Sequence, residues 1–245
     1  MLKSSITCSL DAFSAKLPTG VWSFILPLYD IFLLVFINKS KPKENLPLKI
    51  AASKLESGEK WKDYIASSCP AFLLGKKMTP SSRGTAMHNF MCYLNFHNAA
   101  KFGIDHEINY LYKNRFLSEE EVQNLDKKAL TQFTKSNLFS RIIKSEKLLR
   151  EHRFSVSVPA KRIFKETKQT ENIVVEGALD CAFKENGKYV IVDYKTDKTD
   201  DLPILYEKYS KQLEIYKYAL SSTEETEVLE TGIYSFYLGD YFCKY

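Results

Sequence analysis

The sequence lacks closely spaced cysteines. Its five thiols are dispersed over 245 residues, and no CxxC pair occurs. Because structural zinc sites and cysteine-bound iron–sulfur clusters need several ligands at short spacings, we expect neither of them. An odd, dispersed set of cysteines also argues against a disulfide scaffold and favours a reducing compartment. The sequence therefore predicts a cytoplasmic protein.

A phosphate-binding loop of the form GxxxxGK[ST] is also missing, which excludes an ATP-driven motor of that kind from this chain. The excess of charge of one sign is small, with a formal net charge of +5. This mild basic excess permits a polyanionic partner without requiring one. With 44% hydrophobic and 27% charged residues, the chain can bury a core as one large domain, or as one domain with an extension.

Only one long apolar run stands out, at residues 21–37, and Pro27 and Asp30 interrupt it. Its 17 residues are at the lower limit for crossing a bilayer. The sequence leaves a membrane anchor and a partly buried extension open, and the short length favours an extension without membrane attachment. Polar, proline-containing residues 40–47 follow this run. We therefore predict an extension of uncertain structure at residues 1–45 and a folded domain at residues 46–245.

Capping and turn signals predict several helices, then a hairpin, a helix and a strand. Thr79 and Pro80 are typical of a helix start, and Ser118 with Glu121 forms a capping box. The predicted helices are 48–64, 79–96, 118–133, 136–151 and 203–221, and the predicted strands are 153–158, 231–238 and the two arms of the hairpin. This order of elements indicates an α+β domain with a mixed sheet.

The hairpin is predicted by Asn186 and Gly187, which separate two runs rich in β-branched residues. If these two residues form the turn, Asp180 falls directly opposite Asp193. Lys195 lies on the same face of the hairpin, because strand side chains repeat every two residues. By the same register Glu176 and Asp197 would oppose each other on that face. The other face is apolar and can pack against helices.

Two opposed carboxylates need compensation. Opposed strand residues have Cβ atoms about 5 Å apart, and like charges there repel by roughly 3 kcal/mol at an effective dielectric constant near 20. A divalent cation would reverse the sign of this interaction, and oxygen ligands suit Mg²⁺ or Mn²⁺ rather than Zn²⁺. The alternative is a solvated face on which these charges are ordinary surface residues. The apolar residues 190–192 run directly into Asp193, which favours the cation site.

Four motifs resemble those of the RecB-like nuclease domain in the PD-(D/E)XK superfamily, and within it the nuclease domain of AddA-type helicase–nucleases. Residues 84–88 (GTAMH) resemble the GTxxH motif, and residues 177–180 (GALD) resemble GxxD. Residues 193–196 (DYKT) resemble the DYKT motif, and residues 212–216 (QLEIY) resemble the QxxxY motif. The motifs occur in family order, and the resemblance covers residues 46–245. It implies a restriction-endonuclease-like mixed β-sheet flanked by helices.

The resemblance also implies roles for individual residues. The implied metal ligands are His88, Asp180, Asp193 and the backbone carbonyl of Tyr194. Asp180 and Asp193 are also implied as catalytic, together with Lys195 as the catalytic lysine. Gln212, Tyr216 and Thr196 are implied to support the site or to contact DNA. Spacing alone leaves His88 open between a metal ligand and a hydrogen-bonded core residue.

The function that the resemblance implies is Mg²⁺-dependent hydrolysis of DNA, with Mn²⁺ as the alternative ion. Single-stranded DNA ends are the expected substrate, and a helicase or an AddB-like chain is the expected partner in double-strand break repair. The cysteine cluster that AddB-type nucleases use for an iron–sulfur centre is missing here, which favours the AddA type. A catalytically idle DNA-binding or assembly module of the same fold is the alternative. Strand polarity and the choice between exonuclease and endonuclease action stay open.

Overall fold

A six-stranded mixed sheet forms the centre of the described part of the protein, which in this computed structural model comprises residues 49–55, 81–164 and 170–245. The strands are β1 (Lys49–Ala51), β2 (Lys147–Pro159), β3 (Asn172–Glu185), β4 (Lys188–Lys195), β5 (Val228–Ser235) and β6 (Asp240–Lys244). Their order is β1-β3-β4-β5-β6, and β2 also pairs with β3. The pairs β1/β3 and β4/β5 are parallel and the others are antiparallel, so the predicted mixed sheet is confirmed.

Some predicted segments lie outside the described residues. These are the extension at residues 1–45 with its apolar run 21–37, and the helix start at Thr79 and Pro80. Within the described residues, no helix is both long and apolar enough to cross a membrane.

Strand β3 has different partners on its two edges. One edge is paired with β2 from Lys147 opposite Lys184 to Pro159 opposite Asn172, with one interruption at Asp180. On the other edge, β1 pairs with residues 174–176 and β4 pairs with residues 181–185. Residues 177–180 of this edge therefore lie between the ends of two neighbouring strands. This gap leaves room beside Asp180 for groups that come from outside the sheet.

The hairpin turn and its register are as predicted for the five pairs of the ladder, from Glu185 opposite Lys188 to Cys181 opposite Val192. Asn186 and Gly187 have φ angles of 51° and 77°, as a turn with two left-handed residues requires. The predicted pairings of Asp180 with Asp193 and of Glu176 with Asp197 are wrong, because the ladder ends at Cys181 opposite Val192. The reason is that β4 leaves β3 after Val192 and continues along β5.

The described helices are α1 (Ser81–Tyr93), α2 (Phe96–Phe102), α3 (Ile104–Lys113), α4 (Glu119–Asn124), α5 (Lys127–Thr134), α6 (Asn137–Ile143), α7 (Ala160–Ile163) and α8 (Leu202–Glu224). Helices α1 to α6 bury the apolar face of the hairpin, as predicted. Phe133 lies at the centre of this core, with its ring edge-on to Tyr194, Tyr234 and Phe236. Helix α8 packs on β4 and β5. Its buried side chains include Leu213.

Three predicted helices differ from the structure. The capping box of Ser118 and Glu121 is confirmed, but the helix predicted to residue 133 is two helices, because Asp126 caps a second one by accepting the N–H of Ala129. The helix predicted at 136–151 ends at Ile143, since residues from Lys147 onward pair with β3. In the described part of the segment 48–64, a strand and a short 3-10 turn replace the predicted helix.

The C-terminal part follows the prediction more closely. Helix α8 spans the predicted helix 203–221 and extends it slightly at both ends. The predicted strand 231–238 is β5, shifted a few residues towards the N-terminus. Strand β6 was not predicted from the sequence. It pairs with β5, whose Gly232 leaves the space that the Tyr241 side chain occupies.

Candidate active site

Asp180 occupies the gap on the edge of β3. Its Oδ2 accepts a hydrogen bond from the backbone N–H of Tyr194 at 2.9 Å, which ties the diverging β4 back to β3. Nδ1 of His88, on α1, lies 3.3 Å from the same oxygen. The structure thus brings together the predicted histidine and the first predicted aspartate, which are 92 residues apart in the sequence. Core packing of His88 alone does not describe its position, because its ring faces a carboxylate.

Helix α1 approaches this end of the sheet closely at Gly84. A Cβ atom at that position would lie 3.3 Å from Oγ1 of Thr196, a distance tighter than most real contacts. The glycine therefore allows α1 to pack beside the chain that follows β4. His88 is one turn further along the same helix, which places its imidazole beside Asp180.

Asp193 and Lys195 form a buried ion pair on β4. Oδ2 of Asp193 lies 2.5 Å from Nζ of Lys195, and Asp193 is 1% exposed. This oxygen has no hydrogen bond of regular geometry within the described residues, so charge attraction is its compensation. A solvated hairpin face, the alternative considered from the sequence, is wrong for these two residues.

Helix α8 borders the ion pair with the two residues of the QxxxY motif. Oε1 of Gln212 lies 3.5 Å from Nζ of Lys195, and Nε2 of Gln212 donates to the hydroxyl of Tyr216 at 2.6 Å. Residues four apart share one face of a helix, so both point towards the sheet. Both side chains are buried. Gln212 therefore contacts Lys195 directly, Tyr216 contacts Gln212, and neither side chain is exposed at the surface.

Glu151 joins this site, although sequence reasoning missed it. One ligand atom each from His88, Glu151 and Asp180 lies within 4.8 Å of the others. In the ladder between β2 and β3, Arg150 and His152 have partners and Glu151 does not. Glu151 also has a φ angle of 46°, in the left-handed region that non-glycine residues rarely adopt. The irregular strand thus sets this carboxylate beside Asp180.

The signal for Glu151 exists in the sequence but depends on knowing β2. If residues 147–159 are a strand paired with β3, the residue numbers of paired positions sum to 331, and Glu151 falls opposite Asp180. The sequence predicted a helix over residues 136–151, which hid this relation. Asp193, by contrast, was predicted as a ligand and lies outside the group of three, paired with Lys195. The role of the Tyr194 carbonyl as a metal ligand stays a prediction.

The pKa values of these groups show how negative charge accumulates. Burial raises the pKa of Asp193 to about 6, and the charge of Asp180 adds to this effect against the attraction of Lys195. Burial and the charge of Asp180 also raise the pKa of Glu151. Burial would raise the pKa of Asp180 too, but the attraction and hydrogen bond of His88 outweigh it and lower that pKa. The neighbouring bases therefore do not fully compensate the carboxylates of Glu151 and Asp193.

The two bases respond to the same carboxylates. Burial would lower the pKa of His88, but the neighbouring Asp180 outweighs it and raises that pKa. Burial would likewise lower the pKa of Lys195, and the charges of Asp193 and Asp180 raise it instead. The acids therefore favour the charged form of each base. One imidazole nitrogen and several carboxylate oxygens form a donor set that suits Mn²⁺ and, through the oxygens, Mg²⁺.

Comparison with known proteins agrees with this geometry. Residues 61–241 match the PD-(D/E)XK nuclease superfamily. The chain belongs to this superfamily. The mixed sheet flanked by helices confirms the predicted restriction-endonuclease-like fold class.

Curated relatives carry the name of an ATP-dependent helicase/nuclease component of the AddA type. The protein from Clostridium acetobutylicum is 36% identical over 174 residues, which cover 67% of this chain and 14% of that protein. The protein from Ruminiclostridium cellulolyticum is 34% identical over 178 residues, covering 70% of this chain and 14% of that protein. The predicted relation to the AddA type is confirmed. The match spans only about one seventh of the length of these relatives.

Proposed function

We propose that this chain is a divalent-metal-dependent deoxyribonuclease that hydrolyses DNA phosphodiester bonds, with Mg²⁺ as the ion and Mn²⁺ as a substitute. The observation that carries the proposal is the convergence of His88, Glu151 and Asp180 within 4.8 Å, beside the buried pair of Asp193 and Lys195. An imidazole, carboxylates and an ammonium group in one place supply both cation binding and charge stabilisation.

Each residue has a role that follows from its surroundings. His88, Glu151 and Asp180 would hold the ion, with Asp193, the further ligand predicted from the sequence, beside them in its ion pair with Lys195. A divalent ion held by these residues would supply Lewis-acid chemistry, which polarises a phosphate oxygen and lowers the pKa of water. Lys195 is held protonated by the two aspartates, so its ammonium can orient an attacking water or stabilise negative charge that grows on the phosphate. Gln212 and Tyr216 keep the lysine side chain in place from α8.

The substrate and the partners are inferred from the relatives. Because those proteins are named as parts of a helicase/nuclease and the match covers one seventh of their length, we infer that the nuclease acts together with a helicase or an AddB-like chain. Single-stranded DNA ends would be its substrate, in cytoplasmic repair of double-strand breaks. This chain lacks the GxxxxGK[ST] loop, so unwinding would come from the partner.

Cleavage of labelled single-stranded DNA by the purified full chain tests the proposal. We expect cleavage with Mg²⁺ or Mn²⁺, none with EDTA, and almost none from Asp180→Asn or Lys195→Met. Asp105→Asn is the matched control, since this exposed acid pairs only with Lys127 in the described residues and should cut like the wild type. Binding of DNA without cleavage would instead support the idle DNA-binding module, and cleavage by Asp180→Asn at the wild-type rate would refute the assigned site.

A further inference from the structure

Lys195 has a third neighbour besides Asp193 and Gln212. Its Nζ lies 4.1 Å from the ring centroid of Tyr209, over the face of the ring. Tyr209 is on α8, three residues before Gln212, and is 9% exposed. A cation over an aromatic face in a site with little water is attracted by the ring quadrupole, more strongly than at an exposed surface.

The ring of Tyr209 is itself held in place. Its hydroxyl donates to Oδ1 of Asp197 at 3.0 Å and accepts from Nζ of Lys208 at 3.0 Å. Lys208 also donates to Oδ1 of Asp197 at 3.1 Å. Burial opposes the ionisation of Asp197, but the hydrogen bonds from Lys208 and Tyr209 outweigh it and lower its pKa. The anchoring carboxylate is therefore charged at neutral pH.

This anchor connects two elements of the site. Asp197 follows Lys195 by two residues, in the chain that leaves β4, and Tyr209 is on α8. The hydroxyl contact therefore fixes the distance between the helix and the end of the strand that carries the lysine. The ring lies against the ammonium group of Lys195, which is otherwise carried on a flexible four-carbon stem.

We propose that Tyr209 is a positioning residue for Lys195, acting through the face of its ring. The ring attracts the ammonium group without offering an oxygen that would compete for its protons. Those protons stay available to Asp193 and to the oxygen of a water or a phosphate. This inference rests on the proposed nuclease function and adds a residue outside the four motifs to its site.

Three substitutions at Tyr209 separate the ring from the hydroxyl. Tyr209→Leu removes the ring, and we expect kcat on single-stranded DNA to fall about tenfold to thirtyfold with KM unchanged. Tyr209→Phe keeps the ring and loses the anchor, so it should retain kcat within about threefold. Pentafluorophenylalanine at position 209 keeps the shape but reverses the ring quadrupole. It should reduce kcat as leucine does, and it answers the question even if the leucine variant does not fold.

The matched control is Tyr218→Leu on the same helix. Tyr218 also carries a cation over its ring, since the guanidinium of Arg162 lies 4.8 Å from the ring centroid. It follows Tyr209 by nine residues, which is about 14 Å along the axis of α8. We expect its kcat to equal that of the wild type. If the loss of any cation–aromatic contact on α8 impaired the enzyme, kcat would fall to the same extent in both variants.

A second measurement tests whether Tyr209 acts through the lysine. In single-turnover assays, Tyr209→Leu should have no further effect on the rate when Lys195 is already methionine. Unchanged kcat in the leucine and pentafluorophenylalanine variants overturns the inference, as does equal impairment of Tyr209→Phe and Tyr209→Leu. If the wild-type protein itself does not cleave DNA, the proposed function fails and the inference fails with it. Active wild type with an unaffected leucine variant overturns the inference alone.

Discussion

Acids gather at both ends of strand β4, and the two groups of acids are compensated differently. At the hairpin end, Arg141 donates to both carboxylate oxygens of Glu230, at 2.9 and 3.1 Å, and to those of Glu185, at 3.3 and 2.8 Å. The hydroxyl of Tyr241 donates to Glu230 at 2.7 Å. Burial opposes the ionisation of Glu230, but these bonds outweigh it and lower the pKa of its carboxyl. This cluster is complete within the chain.

At the other end of β4, three acids face two bases. Asp193 has the ammonium of Lys195, Asp180 has the imidazole of His88, and Glu151 adds a third carboxylate within ligand distance of Asp180 and His88. The pKa values of Glu151 and Asp193 are raised, whereas that of Glu230 is lowered. Each cluster has one acid more than it has bases, so the difference lies in hydrogen bonding. Arg141 and Tyr241 donate to the oxygens of Glu230, whereas Oδ2 of Asp193 has no hydrogen bond of regular geometry among the described residues. A cluster that the chain leaves incomplete is suited to bind a cation.

The largest expected difference between the two clusters is the effect of a substitution on nuclease activity. Asp180→Asn should lower kcat/KM on single-stranded DNA by about a thousandfold, because a lost metal ligand removes several kcal/mol of transition-state stabilisation. Glu185→Gln, at the other end of β4, should cleave DNA at nearly the wild-type rate. If both folded variants lost the same fraction of kcat/KM in the same nuclease assay, the two clusters would not differ in function.

The pH dependence of stability sharpens the comparison. The pKa of Asp193 is about 6 in the folded protein and near 3.8 when unfolded, so the folded form binds the proton more tightly. Its contribution to stability is present below about pH 3.8 and is lost as the pH rises through about 6, amounting to about 3 kcal/mol. Urea unfolding of the metal-free protein at several pH values measures this loss.

Two controls accompany the pH series. Asp193→Asn should remove this decrease between pH 4 and 6, because an amide does not titrate. Saturating Mn²⁺ should also oppose it, since the ion binds the ionised form. If the stabilities of the metal-free wild type and of Asp193→Asn changed in parallel over that interval, Asp193 would already be compensated within the chain.

Metal binding should stabilise the protein through only one of the two clusters. At a free Mn²⁺ concentration about a hundred times Kd, the free energy of unfolding should rise by about 2.7 kcal/mol. This corresponds to roughly 5–10 °C in Tm for a chain of this size. Thermal melts of Asp180→Asn should show no such rise, and melts of Glu185→Gln should show all of it. A full rise in the Asp180 variant would place the ion elsewhere.

The smallest expected effect is structural. Glu230→Gln should reduce the free energy of unfolding by about 2 kcal/mol, since a 3% exposed carboxylate loses its charge while Arg141 keeps Glu185 as a partner. Metal affinity should not change. Urea denaturation with and without Mn²⁺ measures both quantities. If the variant bound the ion more weakly without losing stability, the acid cluster at Glu230 would contribute to metal binding at the other end of β4.

The features of the site that could be predicted from the sequence depend on interactions between residues close together in the chain. The turn of Asn186 and Gly187 is set by neighbouring residues, so the register that leads towards Asp180 and Asp193 followed from the sequence alone. The capping box at Ser118 is local in the same sense. Helix α8, opened next to a proline, brought the QxxxY residues to one face as expected.

Long-range pairing decided the rest. Residues 147–151 have helical character by themselves, but they form a strand because twelve pairs with β3 stabilise it, and this placed Glu151 in the site. The divergence of β4 depends on its parallel pairing with β5, which no local pattern shows. For the same reason β1 and β6 were missed, since each is short and is defined only by its partner strand.

Anomalous scattering from crystals of the full chain soaked in Mn²⁺ tests the central claim most directly, because it locates the ion. We predict one strong peak bounded by Nδ1 or Nε2 of His88 and by carboxylate oxygens of Glu151 and Asp180, and no peak beside Glu185 and Glu230. A strong peak at the Arg141 cluster, or crystals that bind Mn²⁺ without density at the three predicted ligands, would contradict the account.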